Sequence, residues 1–233
     1  MSNFNIISFT ELMQCGNDHA NIKQQNNSIK EELPTPSEGV FIQDFNGKLW
    51  KTEDWDGSAV PNAIAVIADE SKFLIALAQS YLQMSIVCQT EIDRHMFGTT
   101  CLKLAASDYD GAGNTANILK LIPSTSYAAG YCNSFTYPNG KTKGYLPSLG
   151  QLKLAHKNKG KIEAALKKCG GTAMELSTPF WSSTFRGVYG SSTRSCWLFY
   201  WRTGGVSFGP LNINYYVRPF ADFVGVHFLI KKR

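Results

Sequence analysis

Residues 197–208 read Trp-Leu-Phe-Tyr-Trp-Arg-Thr-Gly-Gly-Val-Ser-Phe, and this stretch indicates the fold most strongly. Side chains alternate between the two sides of a β-strand. The two sets are Trp197, Phe199, Trp201 on one side and Leu198, Tyr200, Arg202 on the other. We expect the first, uniformly bulky set to face the core and the second, mixed set to face solvent. The Gly204-Gly205 turn predicts that Val206–Phe208 returns beside this strand.

A mixed Leu, Tyr and Arg side has two explanations. It is typical of a binding surface, because Tyr and Arg combine a large contact area with a polar group. An ordinary solvated strand face explains the same pattern, and the residues alone leave both open.

Outward from this strand, the chain predicts hairpins and helices in separate blocks. Val40–Phe45 and Lys48–Lys51 flank Asn46-Gly47, which is a strong hairpin signal. Ala63–Ala68 predicts a buried strand. Asp69 or Ser71 predicts the start of a helix that runs to about Met84.

The middle of the chain predicts two more helical regions. Thr115–Leu121 predicts one helix. Ser148 and Gln151 fit a capping box at the start of another, and Gly170-Gly171 ends the helical stretch that follows. Short strands begin at Phe180, so the predicted class is α+β, with short antiparallel strands, two or more helices and a long irregular region.

Composition sets the domain organisation and excludes several functions. Of the 233 residues, we assign 1–38 to an N-terminal element and linker, with a helix over Ile6–Cys15, and 39–233 to one domain. The net charge of +5 is modest, and the lysines of residues 153–168 are interspersed with apolar residues, so we expect no nucleic-acid partner. We expect no signal peptide and no membrane span.

Residues that could support chemistry are scattered. Asp108–Asn114 resembles a calcium loop, but the twelfth residue counted from Asp108 is Leu119 and not Glu, so a turn is favoured. The four histidines do not have metal-ligand spacing. Ser182–Thr184 lacks a nucleophile elbow, and Cys196 lies in an apolar strand. We therefore predict no catalytic residue, no metal and no cofactor.

A family resemblance rests on three motifs. Gly144-Tyr145-Leu146-Pro147-Ser148-Leu149-Gly150 precedes a helix, Trp181-Ser182-Ser183-Thr184 opens the strand block, and Tyr216-Val217-Arg218-Pro219-Phe220 closes it. Together they resemble the C-type-lectin-fold variable proteins of diversity-generating retroelements, which include Bacteroides-type and phage-encoded lectin-like domains. The resemblance covers roughly residues 39–223.

The resemblance implies a ligand- or receptor-binding module whose C-terminal surface is diversified by adenine mutagenesis of its gene. Its ligand would be a protein or glycan on a cell or particle surface, an oligomer is possible, and a phage-tail-associated or cytoplasmic location before delivery is implied. A structural or assembly domain of a phage tail or cell surface is the alternative, and an enzyme of the formylglycine-generating type is a weaker one. The implied variable surface comprises Arg186, Tyr189, Ser192, Arg194, Leu198, Tyr200, Arg202, Ser207, Phe208, Pro210, Asn212 and Asn214.

Overall fold

The computed structural model describes residues 38–84, 99–174, 177–189 and 193–223, except for the side chains of residues 188, 189 and 193. These residues belong to one compact unit and form ten strands and five helices. The strands build two five-stranded sheets, so the predicted α+β class is confirmed. The predicted helix over Ile6–Cys15 and the linker after it lie outside the described residues.

The first sheet is antiparallel throughout and has the order β10-β4-β3-β1-β2. Its strands are β1 (Gly39–Asp44), β2 (Leu49–Trp50), β3 (Pro61–Ile67), β4 (Lys72–Ile75) and β10 (Phe220–Asp222). The predicted hairpin is confirmed, because Ile42 pairs with Trp50 across it. Gly47 in its turn has φ 87°, a conformation that glycine adopts at little cost. The buried strand predicted at Ala63–Ala68 is β3.

The helix predicted from Asp69 or Ser71 to about Met84 is wrong. This segment forms β4 and the short strand β5 (Ser80–Leu82). Phe73 and Leu74 are both buried, on opposite sides of β4, where they join different apolar clusters. A strand that is covered on both sides reads as a continuous apolar run, and periodicity alone does not separate such a run from a buried helix.

The five helices lie between β5 and β6 in the chain. They are α1 (Leu102–Ala105), α2 (Gly111–Leu121), α3 (Ala128–Ser134), α4 (Leu149–Lys157) and α5 (Lys159–Lys168). The capping box is confirmed at the start of α4, where the Ser148 hydroxyl accepts from the Gln151 N–H. Gly170 follows α5 with φ 75°, as the predicted helix end requires. The predicted Thr115–Leu121 helix is the later part of α2, which starts earlier because the Asp110 side chain caps it.

The second sheet has the order β5-β9-β6-β7-β8, and only its β6–β9 contact is parallel. Its long strands are β6 (Phe180–Tyr189), β7 (Thr193–Tyr200), β8 (Gly205–Pro210) and β9 (Tyr215–Val217). One side packs Phe180 and Phe199 against the first sheet, α4 and α5. The other side packs Trp181 and Leu198 against α2 and α3. The second sheet is therefore an inner layer over much of its area.

Candidate functional site

Both sides of β7 are covered by other parts of the protein. The predicted alternation is confirmed, because Trp197 and Leu198 belong to separate clusters on opposite sides of the sheet. The predicted solvent exposure of Leu198 is wrong, since its side chain is only 2% exposed. It packs among Trp181, Cys196 and Leu211. The uninterrupted apolar run of β7 is the pattern expected of a strand buried on both sides.

Arg186 and Phe208 lie on the Trp197 side of the sheet, not on the side of Tyr200. Phe208 pairs with Trp197 across the β7–β8 ladder, and their rings meet edge to face at 6.3 Å. The Arg186 guanidinium carbon lies 3.8 Å from the centroid of the Phe208 ring, a cation–π geometry. The prediction that Arg186, Leu198, Tyr200 and Phe208 share one solvent-facing surface is therefore wrong.

The remaining predicted residues are divided between the two ends of the β7–β8 hairpin. Arg194, Pro210, Asn212 and Asn214 belong to the end at which β7 begins and β8 finishes. Arg202 lies in the turn at the opposite end. The two ends are about 17 Å apart, because the paired part of β7 runs from Ser195 to Tyr200, five steps of about 3.4 Å each. Ser192 and the side chain of Tyr189 lie outside the described residues.

A smaller set does come together on one side of the sheet. Ser207 pairs with Leu198, so it shares the side on which the alternation also places Tyr200. On that side, a Cβ added to Gly209 would lie 3.0 Å from the Tyr215 ring, so Tyr215 packs directly on the β8 backbone. Tyr215 also meets Trp181 edge to face at 4.9 Å.

The exposed turns extend this set at both ends. Arg202 is exposed in one turn, and Asn212, Ile213 and Asn214 are exposed in the turn before β9. We use the name contact surface for Tyr200, Arg202, Ser207, Asn212, Asn214 and Tyr215.

Sequence reasoning missed Tyr215, which directly precedes the closing motif Tyr216-Val217-Arg218-Pro219-Phe220. Burial raises the pKa of the Tyr215 phenol, and the neighbouring phenols of Tyr200 and Tyr81 raise it further. Tyrosine offers a rigid ring and a hydrogen-bonding group together, which suits recognition of another molecule.

A buried polar network joins the motifs that were singled out in the sequence. The Asp108 carboxylate accepts from the Thr184 hydroxyl at 2.6 Å and from the Asn114 amide at 2.8 Å. The Thr184 oxygen in turn accepts the Leu149 N–H at 2.9 Å, and the Ser148 hydroxyl donates to the Asp108 carbonyl at 2.6 Å. The loop that resembles a calcium site therefore anchors the start of α4 to β6.

The hydroxyl and thiol groups considered as nucleophiles all lie inside the protein. Ser182, Ser183 and Thr184 are each 0% exposed. The Ser182 hydroxyl donates to the Trp197 carbonyl at 2.8 Å, and Thr184 is held by Asp108. Cys196 is fully buried, and burial raises the pKa of its thiol well above its usual range. These groups serve packing and hydrogen bonding of β6 and β7.

Within the described ranges, no group of three or more His, Cys, Asp or Glu residues is placed to hold a metal ion. His156 is the histidine that these ranges include, and it contacts Phe199 and Trp201 rather than a carboxylate. A search of the same ranges finds no helix with the length and apolar character needed to cross a membrane.

Comparison with known proteins yields no match to a protein-family model, a curated protein or a solved structure.

Proposed function

We propose that this chain is a ligand-binding domain of the C-type-lectin-like kind, in which the contact surface recognises a protein or glycan on a cell or particle. We further propose that the contact surface is diversified through the retroelement mechanism that the sequence resemblance implies. Leu198, Arg186 and Phe208 are not part of the surface proposed here, since the first is buried and the other two lie on the opposite side of the sheet.

The observation that supports this proposal most directly is the contrast between adjacent residues. Trp201 is 0% exposed, whereas Arg202, the next residue, is exposed. Leu198 is buried, whereas Ser207, its partner across the ladder, is half-buried. Exposed or half-buried positions thus lie directly beside core positions, and this supports the proposal that the former can change while the core holds the sheet.

The energetics of replacement follow from this contrast. Substitutions at exposed sites away from special features usually change stability by under about 0.5 kcal/mol. Loss of a buried aromatic side chain costs about 3–5 kcal/mol. We therefore expect the exposed members of the contact surface, Arg202, Asn212 and Asn214, to accept new side chains without unfolding, which a diversified binding protein requires.

Saturation substitution in a surface-display format tests the tolerance. At Arg202, Ser207, Asn212 and Asn214 we expect nearly every residue to preserve display of folded protein. At Trp181, Leu198 and Trp201 we expect most polar residues to abolish it. If the two sets tolerate substitution equally, a replaceable contact surface is ruled out.

Selection for binding tests recognition itself. A library randomised at the contact surface should yield binders to unrelated target proteins such as lysozyme and streptavidin. A control library randomised at four exposed residues of α5, namely Lys161, Ala164, Lys167 and Lys168, should yield fewer. Equal yields would mean that the contact surface has no special capacity for binding.

The neighbouring DNA tests the proposed retroelement mechanism. It should contain a near-repeat of the segment that encodes residues 181–219, altered at template adenines, beside a reverse transcriptase gene.

A further inference from the structure

The turn between β7 and β8 rests on the ring of His156, which lies in the last turn of α4. The ring meets Phe199 and Trp201 edge to face, with centroids 5.4 and 5.5 Å away. A Cβ added to Gly204 would lie 2.7 Å from the imidazole Cε1, so the Gly204 backbone covers the ring directly. The imidazole Nε2 is buried and has no hydrogen-bond partner among the described residues.

This enclosure suits the neutral imidazole and not the imidazolium. A protonated ring has an N–H at both nitrogens, and each needs an acceptor or water. The Trp201 backbone favours the protonated ring and raises the pKa of His156, against the larger effect of desolvation, while Nε2 lies under the covering turn without a partner. A buried donor without a partner costs about 1–3 kcal/mol, and more when the group is charged.

The charges on the elements around the ring add to this preference. Lys153 and Lys157 belong to α4 itself, and the Lys157 ammonium is paired with the Glu70 carboxylate at 3.1 Å. Lys159 and Glu163 belong to α5, and Arg202 belongs to the turn. The Lys159 ammonium donates to the Arg202 carbonyl at 3.1 Å, so a positive charge is held at the turn. The Glu163 carboxylate accepts the Trp201 indole N–H at 2.6 Å and the Met174 N–H at 3.1 Å. Desolvation lowers the pKa of His156, and Lys159 lowers it further.

We propose that His156 is a pH-sensitive switch: protonation of its ring releases residues 202–204 of the turn and so rearranges the contact surface at Tyr200 and Arg202. The consequence for ligand binding rests on the function proposed above, whereas the structural change does not. Trp201 is buried in the core and stays in place, with its indole bonded to Glu163. The Arg202 carbonyl is bonded to Lys159 at the surface, so residues 202–204 can move without unfolding of the sheet.

The direction of the pH effect follows from the lowered pKa. An imidazole of ordinary environment titrates near pH 6.5, and the closed turn binds the proton less readily than the open one. The closed turn is therefore fully favoured above about pH 6.5. The free energy that favours the closed turn over the open one falls as the pH decreases from there toward the pKa of the covered ring. Below that pKa it declines no further.

NMR titration of the unaltered chain from about pH 8 to about pH 5 tests the switch without any ligand. The expected result is that the His156 ring titrates below its ordinary pKa. With the same midpoint, the amide signals of residues 202–204 should lose intensity or shift to new positions, while signals from the first sheet stay unchanged. Titration of His156 with no change at residues 202–204 would overturn the proposal, as would titration at or above pH 6.5.

Two variants separate His156 from other titrating groups. His156→Phe keeps an aromatic ring in the enclosure and removes the proton site, so the turn signals should stay constant over the same pH range. The matched control replaces the other three histidines, as H19N/H95N/H227N, and should retain the full response. A pH response of the turn that persists in His156→Phe would assign it to another group and refute the switch. Because no ligand is used, failure here is distinct from failure of the binding libraries.

Discussion

Replacement of Asp108 by alanine should destabilise the domain far more than replacement of Asp110, two residues away in the same loop. Asp108 is 7% exposed, and its carboxylate accepts hydrogen bonds from two buried donors, the Thr184 hydroxyl and the Asn114 amide. Asp110 is exposed, and its side chain caps α2 by accepting the Gly113 N–H at 2.8 Å.

The expected magnitudes follow from these partners. A hydrogen bond to a charged group contributes about 1.5–3 kcal/mol, and a buried donor left without a partner costs a similar amount. Asn114 keeps a long contact of 3.4 Å to the Ser183 hydroxyl, which offsets part of the loss. We therefore expect Asp108→Ala to cost about 3–5 kcal/mol. Loss of the Asp110 cap should cost about 1 kcal/mol.

Urea unfolding, followed by tryptophan fluorescence, measures both free energies. The free energy of unfolding of the less stable variant should fall with urea concentration at a slope similar to that of the unaltered protein. A similar slope indicates that the surface exposed on unfolding is unchanged. If Asp108→Ala costs no more than Asp110→Ala, then the buried network does not hold the start of α4 to β6, and the structural account of this loop is refuted.

Three further outcomes are expected. Leu198→Ala should lower the free energy of urea unfolding by about 2–5 kcal/mol, whereas Arg202→Ala should lower it by less than about 0.5 kcal/mol. Similar losses for the two variants would contradict the burial of Leu198. Gly204→Ala should cost more than Gly170→Ala in the same assay. Both glycines have positive φ, a conformation that costs alanine about 1–2 kcal/mol of stability, but only at Gly204 would the added Cβ meet another side chain. Thermal midpoints with calcium and with chelator should agree, because the Asp108 carboxylate is engaged by protein donors; a rise with calcium would reveal an ion site.

Local signals in the sequence predicted much of the fold. Asn46-Gly47 predicted the first hairpin, and Ser148 with Gln151 predicted the start of α4, because in each case the interacting groups are at most a few residues apart. The failure at residues 69–84 has the opposite cause. Phe73 and Leu74 are covered by strands and helices that are distant in sequence, and a window along the chain contains no information about that cover.

The candidate site was predicted only in part for a related reason. Arg202 is exposed, as the turn after β7 predicts, whereas Tyr200 and Ser207 are half-buried. Leu198 obeys the alternation of β7, yet it is buried because α2 and α3 cover that part of the sheet. Tyr215 was missed because its contact with Gly209 depends on how β9 lies relative to β8.

The sequence by itself determined which side chains of β7 lie together, where the first hairpin turns, where α4 begins, and that the class is α+β. These follow from the backbone geometry of single strands, turns and helix ends. Only the tertiary structure decided that both sides of β7 are covered, that Arg186 packs on Phe208, and that Asp108 binds Thr184, a residue 76 positions later. Contacts of that separation form because whole layers pack together to bury apolar surface, and the packing of layers is not encoded in any one segment.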